Sequence, residues 1–104
     1  MNPPLRTAED NTALWDALTD GTLSTVGTDH CPFTVAQKRA GIEDFRKIPG
    51  GAGGVEHRLS LLYTYGLLTK RLDFNQMINL ASATPADIFG VYPRKGSFIG
   101  RFRC

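Results

Sequence analysis

The sequence is poor in the residues that most often announce a compartment or a chemistry. Its two cysteines, Cys31 and Cys104, are too few for a disulfide framework, so a reducing, cytoplasmic setting is expected. Its two histidines, His30 and His57, fall short of the three or four convergent ligands of a zinc site unless other residue types join them. No apolar run approaches the roughly 20 residues that cross a bilayer. The N-terminal Met1-Asn2-Pro3-Pro4 lacks the charged-then-apolar pattern of a signal peptide. Charge of one sign is scarce too. Twelve Lys and Arg stand against 10 Asp and Glu, a net charge of +2, which argues against nucleic acid or an anionic membrane as partner.

What is present reads as ordinary globular chain, 41% hydrophobic and 21% charged over 104 residues, enough for one small domain. Helix dominates the pattern. Thr7 followed by Glu9 and Asp10 is a capping signature, and Leu14, Trp15 and Leu18 recur at helical spacing, so a helix is predicted over 8–18. Residues 23–28 are short and β-branched-rich and read as one clear strand, closed by Pro32, which cannot continue a ladder. Thr34 with Gln37 predicts a second capped helix that Gly41 ends. Residues 48–54, with four glycines in five positions, read as a loop. The longest helix is predicted over 55–68, with Leu59, Leu62, Tyr63 and Gly66 on one face and Leu61, Tyr65 and Leu68 beside it. Such a broad apolar face calls for cover on several sides. Asp73 and Gln76 open the next helix, and Thr84-Pro85 predicts a further one, with Thr84 as N-cap and Pro85 at the first helical position. A lone strand is the anomaly, because its backbone groups lack partners on both edges.

The sharpest local chemistry is Gly27-Thr28-Asp29-His30. A carboxylate just past a strand end is where open α/β folds and barrels place ligand-binding groups, although the same residue serves as well for capping a turn. His30 and Cys31 point to opposite faces of an extended chain, so a metal site built from Asp29, His30, Cys31 and His57 lacks support in the spacing. A Cys31–His30 nucleophile lacks an orienting group. The glycine loop lacks the Lys-Ser/Thr ending of a phosphate loop. Arg94, Lys95, Arg101 and Arg103 read as a solvated basic tail.

Taken in order, Pro3-Pro4-Leu5-Arg6, Gly27-Thr28-Asp29-His30-Cys31-Pro32-Phe33, Gln37-Lys38, Gly41, Asp44-Phe45, Ile48-Pro49, Gly54-Val55-Glu56-His57-Arg58 and Tyr92-Pro93-Arg94-Lys95-Gly96 resemble the dihydropyrimidinase/D-hydantoinase family of cyclic amidohydrolases. The resemblance implies an α/β fold: an incomplete terminal segment of a metal-dependent (β/α)8 (TIM) barrel, since a whole barrel takes about 200–250 residues. Residues 1–96 would be the last barrel strand with its following helices. Residues 97–104 would be a divergent tail, from truncation or a frameshift. The missing neighbours of the lone strand would lie on the rest of the barrel.

The resemblance further implies hydrolysis of the ring amide of dihydropyrimidines or 5-substituted hydantoins, as in pyrimidine catabolism, by a hydroxide on two metal ions, usually zinc. Asp29 matches the strand-end aspartate that binds a metal and shuttles the proton to the leaving nitrogen. Asn2 and Gly50 fall where family members contact the substrate's amide edge, and there this chain departs from the usual Ser and Asn. The remaining metal ligands have no counterparts in this chain, which is expected to be inactive and loosely folded alone. Family members form dimers and tetramers. Two alternatives stand beside this reading. One is a dihydroorotase- or allantoinase-like relative, since Asn-Pro-Pro-Leu-Arg is typical of dihydroorotase. The other is a small helical interaction module without catalysis.

Overall fold

Helix starts in this chain are set by short-range caps. In the computed structural model, which describes residues 3–98, α1 spans Ala8–Thr19. Thr7 accepts from the Asp10 amide and Asp10 accepts from the Thr7 amide, so two otherwise unpaired donors are satisfied reciprocally. The same box recurs at α2, Val35–Arg39, between Thr34 and Gln37, and at α4, Phe74–Ile78, between Asp73 and Gln76. These starts match the sequence reading.

The longest predicted helix is shorter than expected. Residues 55–57 form a turn, and α3 begins at Arg58, running Arg58–Leu62 and continuing through a wide π turn at Tyr63–Leu67. A second wide turn, Asn79–Ala83, joins α4 to α5, Thr84–Ile88. Here the expectation for Thr84 is corrected. Ala83 and Thr84 both have helical backbone, and Thr84 lies inside a continuous helical path instead of capping a new one. Pro85 explains the geometry. It has no N–H to donate, and its ring collides with the carbonyl one regular turn back. Widening the preceding turn, so that the Thr84 amide bonds back to Asn79, accommodates the proline without ending the helix.

The expected strand does not form: among the described residues there is no strand. Residues 24–33 lack regular structure. A strand needs a ladder, and this segment meets only isolated acceptors and donors. The Val26 amide donates to Leu80 O at 3.1 Å, and Arg58 Nη1 donates to Val26 O at 3.3 Å. The chain is thus helix-rich with an unpaired segment crossing it.

Leu62, Leu72, Met77 and Leu80 form the buried centre, with Trp15, Leu18, Val26, Leu67, Ile78 and Ala81 against them. α1 is tied to this centre at its end. Thr19 Oγ1 donates to Arg71 O, Gln76 Nε2 donates to Thr19 O, and the Arg71 guanidinium lies 5.5 Å from the Trp15 ring centroid. Gly66 is buried where a methyl group would stand 2.9 Å from Leu72 Cδ1 and 3.3 Å from Trp15 Cζ3. Of the apolar face predicted on the long helix, only Leu62 and Gly66 are buried. Leu59, Leu61, Tyr63, Tyr65 and Leu68 are all about half exposed or more. The radius of gyration is 16.9 Å, against about 13 Å for a compact domain of this length. This chain therefore folds its centre and leaves much of its apolar helix surface uncovered.

Candidate active-site wall

Three segments far apart in sequence meet at one cleft of about 390 Å³. The run from Pro3 to Thr7 forms one side, Thr28 and Asp29 the base of another, and Gly51, Ala52 and Gly53 the third, with Asn11 and Leu14 of α1 closing it. Asp29 is exposed and has φ of 44°, the left-handed region that a non-glycine residue enters at a cost. Aspartate is among the few side chains that tolerate it. Such local strain concentrates at ligand-binding positions.

The glycine loop is held against residues 28–31 by a set of polar contacts. The Cys31 amide donates to Ala52 O at 3.1 Å. His30 Nδ1 accepts from the amides of Gly54 at 3.1 Å and Val55 at 3.3 Å. Lys38 Nζ, on α2, donates to Pro49 O at 3.1 Å and Gly51 O at 3.0 Å while lying 5.7 Å from the Phe33 ring centroid. Gly51 has φ of 107°, and a Cβ there would stand 2.8 Å from Cys31 O. Only glycine permits so close an approach of the two backbones.

Of the residues singled out from sequence, Asp29 lines this cleft. Gly50 is exposed and adjoins the wall, while its neighbours Gly51 to Gly53 form it. Asn2 lies outside the described residues. His30 serves as an acceptor for the glycine loop, a role the spacing did not suggest. Lys38 was not singled out as functional; its partners lie 11 and 13 residues away, beyond any local signal. Among the described residues, no three of His, Cys, Asp and Glu converge as metal ligands. Asp29 alone does not make a metal centre, so the residues present do not by themselves fit the pair of ions the resemblance implies. No helix among the described residues is long and apolar enough to cross a membrane.

Comparison with known proteins places this geometry. No family model matches the chain. A D-phenylhydantoinase of Escherichia coli O1:K1 is 40% identical over 97 residues, covering 92% of this chain and 21% of the relative. The D-hydantoinase (dihydropyrimidinase) from Thermus sp. superposes with a TM-score of 0.94 at 46% identity, covering 100% of this chain and 23% of that one. The dihydropyrimidinase from Brevibacillus agri gives a TM-score of 0.94 at 38% identity, covering 99% and 23%. The L-hydantoinase (dihydropyrimidinase) from Arthrobacter aurescens gives 0.85 at 35% identity, covering 98% and 23%. The chain spans less than a quarter of the length of each of these relatives. Over nearly all of its length the chain shares sequence and backbone with the dihydropyrimidinase/D-hydantoinase family.

Proposed function

We propose that this chain forms one wall of the active site of a cyclic amide hydrolase acting on dihydropyrimidines or 5-substituted hydantoins. The observation that supports this reading is the meeting of the Pro3–Thr7 run, Asp29 and the glycine loop at one cleft. Those are the segments to which the family resemblance assigns the catalytic carboxylate and the substrate's amide edge. In this reading the chain is the last part of a (β/α)8 barrel, and the unpaired residues 23–28 take their ladder partners from the remainder.

Asp29 is the proton carrier. One carboxylate oxygen takes a proton from the attacking water as the C–O bond forms and delivers it to the ring nitrogen as the C–N bond breaks. Main-chain groups around Gly50, together with Asn2, hold the amide edge. A metal centre, zinc in this reading, would be held by Asp29 together with ligands that the described residues do not include, and would supply an acidified water and a polarised carbonyl. The chain alone is inactive, and the complete enzyme is a cytoplasmic homo-oligomer.

The test has two arms. Purified chain with zinc and either dihydrouracil or 5-phenylhydantoin should give no ring opening and no stoichiometric tight zinc. The complete enzyme carrying this segment should open the ring and lose that activity on Asp29→Asn. Zinc held tightly by the isolated chain, or full activity in the Asp29→Asn enzyme, overturns the reading.

A further inference from the structure

We propose that Lys38 is a positioning residue that turns two backbone donors of the glycine loop toward the substrate. The proposal rests on the reading of the cleft as an amide-binding site. Lys38 Nζ binds the carbonyls of Pro49 and Gly51, one on each side of Gly50. Both following peptide bonds are trans, the chain's one cis bond among the described residues being Tyr92-Pro93. In a trans peptide the N–H points opposite to the C=O. Capturing the carbonyls of residues 49 and 51 therefore aims the N–H groups of Gly50 and Ala52 away from Lys38. Ala52 lies in the cleft wall with Asp29. Neither amide has a hydrogen-bond partner among the described residues.

A pair of like-oriented N–H donors suits a carbonyl oxygen of the substrate's amide edge, held alike before and during ring opening. A cation suits the task of holding the loop, because hydrogen bonds from a charged donor are stronger than neutral ones. The Phe33 face, 5.7 Å away, favours the ammonium in that position. Gly51 packs against Cys31 and the Cys31 amide holds Ala52 O, so the loop has a second anchor and Lys38 decides the facing of its outer arc.

Lys38→Met keeps the stem and removes the donors, while Lys38→Arg keeps the charge. In the isolated chain, Lys38→Met should speed amide exchange at Cys31 about tenfold or more, through the loss of two charge-assisted hydrogen bonds, with α1 amides unchanged. In the complete enzyme, Lys38→Met should raise KM for the cyclic amide about tenfold with kcat changed far less, and Lys38→Arg should recover much of the loss. An unchanged KM, or a fall in kcat alone, overturns the proposal. Where Lys38→Met fails to fold, Phe33→Leu, which removes only the ring, should give a smaller rise in KM, and no rise overturns the proposal. If the unsubstituted enzyme opens no cyclic amide, the amide-site reading falls and the substrate role of Lys38 with it. The exchange result then shows separately whether Lys38 holds the loop.

Discussion

Replacing Gly51 by alanine tests whether the glycine loop owes its place to backbone-on-backbone contact. At φ of 107°, an alanine is strained by about 1–3 kcal/mol. Its Cβ would also stand 2.8 Å from Cys31 O and 2.9 Å from Cys31 Cβ. The carbonyl is part of the main chain and cannot swing aside, so the loop must move. Movement lengthens the Cys31–Ala52 bond of 3.1 Å and the Lys38–Gly51 bond of 3.0 Å, each worth about 0.5–1.5 kcal/mol net. Strain and lost bonds together come to about 2–6 kcal/mol against the docked loop, with the opening energy of the loop itself as ceiling. Amide exchange at Cys31 reads this directly, and the expected acceleration is about 30-fold or more, since about 1.4 kcal/mol is tenfold. Gly53→Ala is the control. Its φ is ordinary and the nearest atom to an added Cβ is 3.7 Å away, so exchange at Cys31 should stay within a factor of about 2, an ordinary surface effect. Equal acceleration in both variants, or none in Gly51→Ala, would refute the reasoning.

The remaining predictions concern the helical centre and the exposed charges. Leu62→Ala should cost about 2–5 kcal/mol in urea unfolding, because Leu62 is 4% exposed among Leu72, Met77 and Leu80. Thr7→Ala should cost about 1 kcal/mol and fray the start of α1 in circular dichroism, since the Asp10 amide loses the Thr7 hydroxyl as its acceptor. The Asp44 carboxyl is held below the usual range, first by its hydrogen bond from the Arg46 side chain. A lowered folded pKa contributes stability above the ordinary aspartate range and loses it as pH falls through the folded value. Carboxyl NMR titration should find Asp44 low, rising toward the ordinary aspartate range in Arg46→Ala.

Legibility from sequence followed the range of the interaction. The capping boxes at Thr7, Thr34 and Asp73 span four residues each, so the signal and the contact coincide. Residues 23–28 misled because β propensity says only that a segment fits a ladder, and the ladder itself needs a second segment. Thr84-Pro85 admitted two solutions, a fresh start or a widened turn, and the sequence does not choose between them. Asp29 was singled out for standing just past residues 23–28, and it lines the cleft although the strand read there does not form. The loop's wall is formed by Gly51 to Gly53, one step past the residue singled out. The parts played by His30 and Lys38 were hidden because their partners are main-chain groups, which no side-chain pattern reveals.

The two wide turns carry a consequence for length variation. A π turn holds one residue more than a regular helix needs at that point. Each residue advances a helix by about 100°, so the extra one in Asn79–Ala83 resets which side of α5 faces inward. Deleting a single residue there should restore regular pitch and rotate buried Ala86 away from Gly96, whose missing Cβ would otherwise stand 2.7 Å from it. It would also return the Pro85 ring to the carbonyl it now avoids. Insertions and deletions in this segment are therefore constrained by rotational phase, more tightly than any exposed loop of the same length would be.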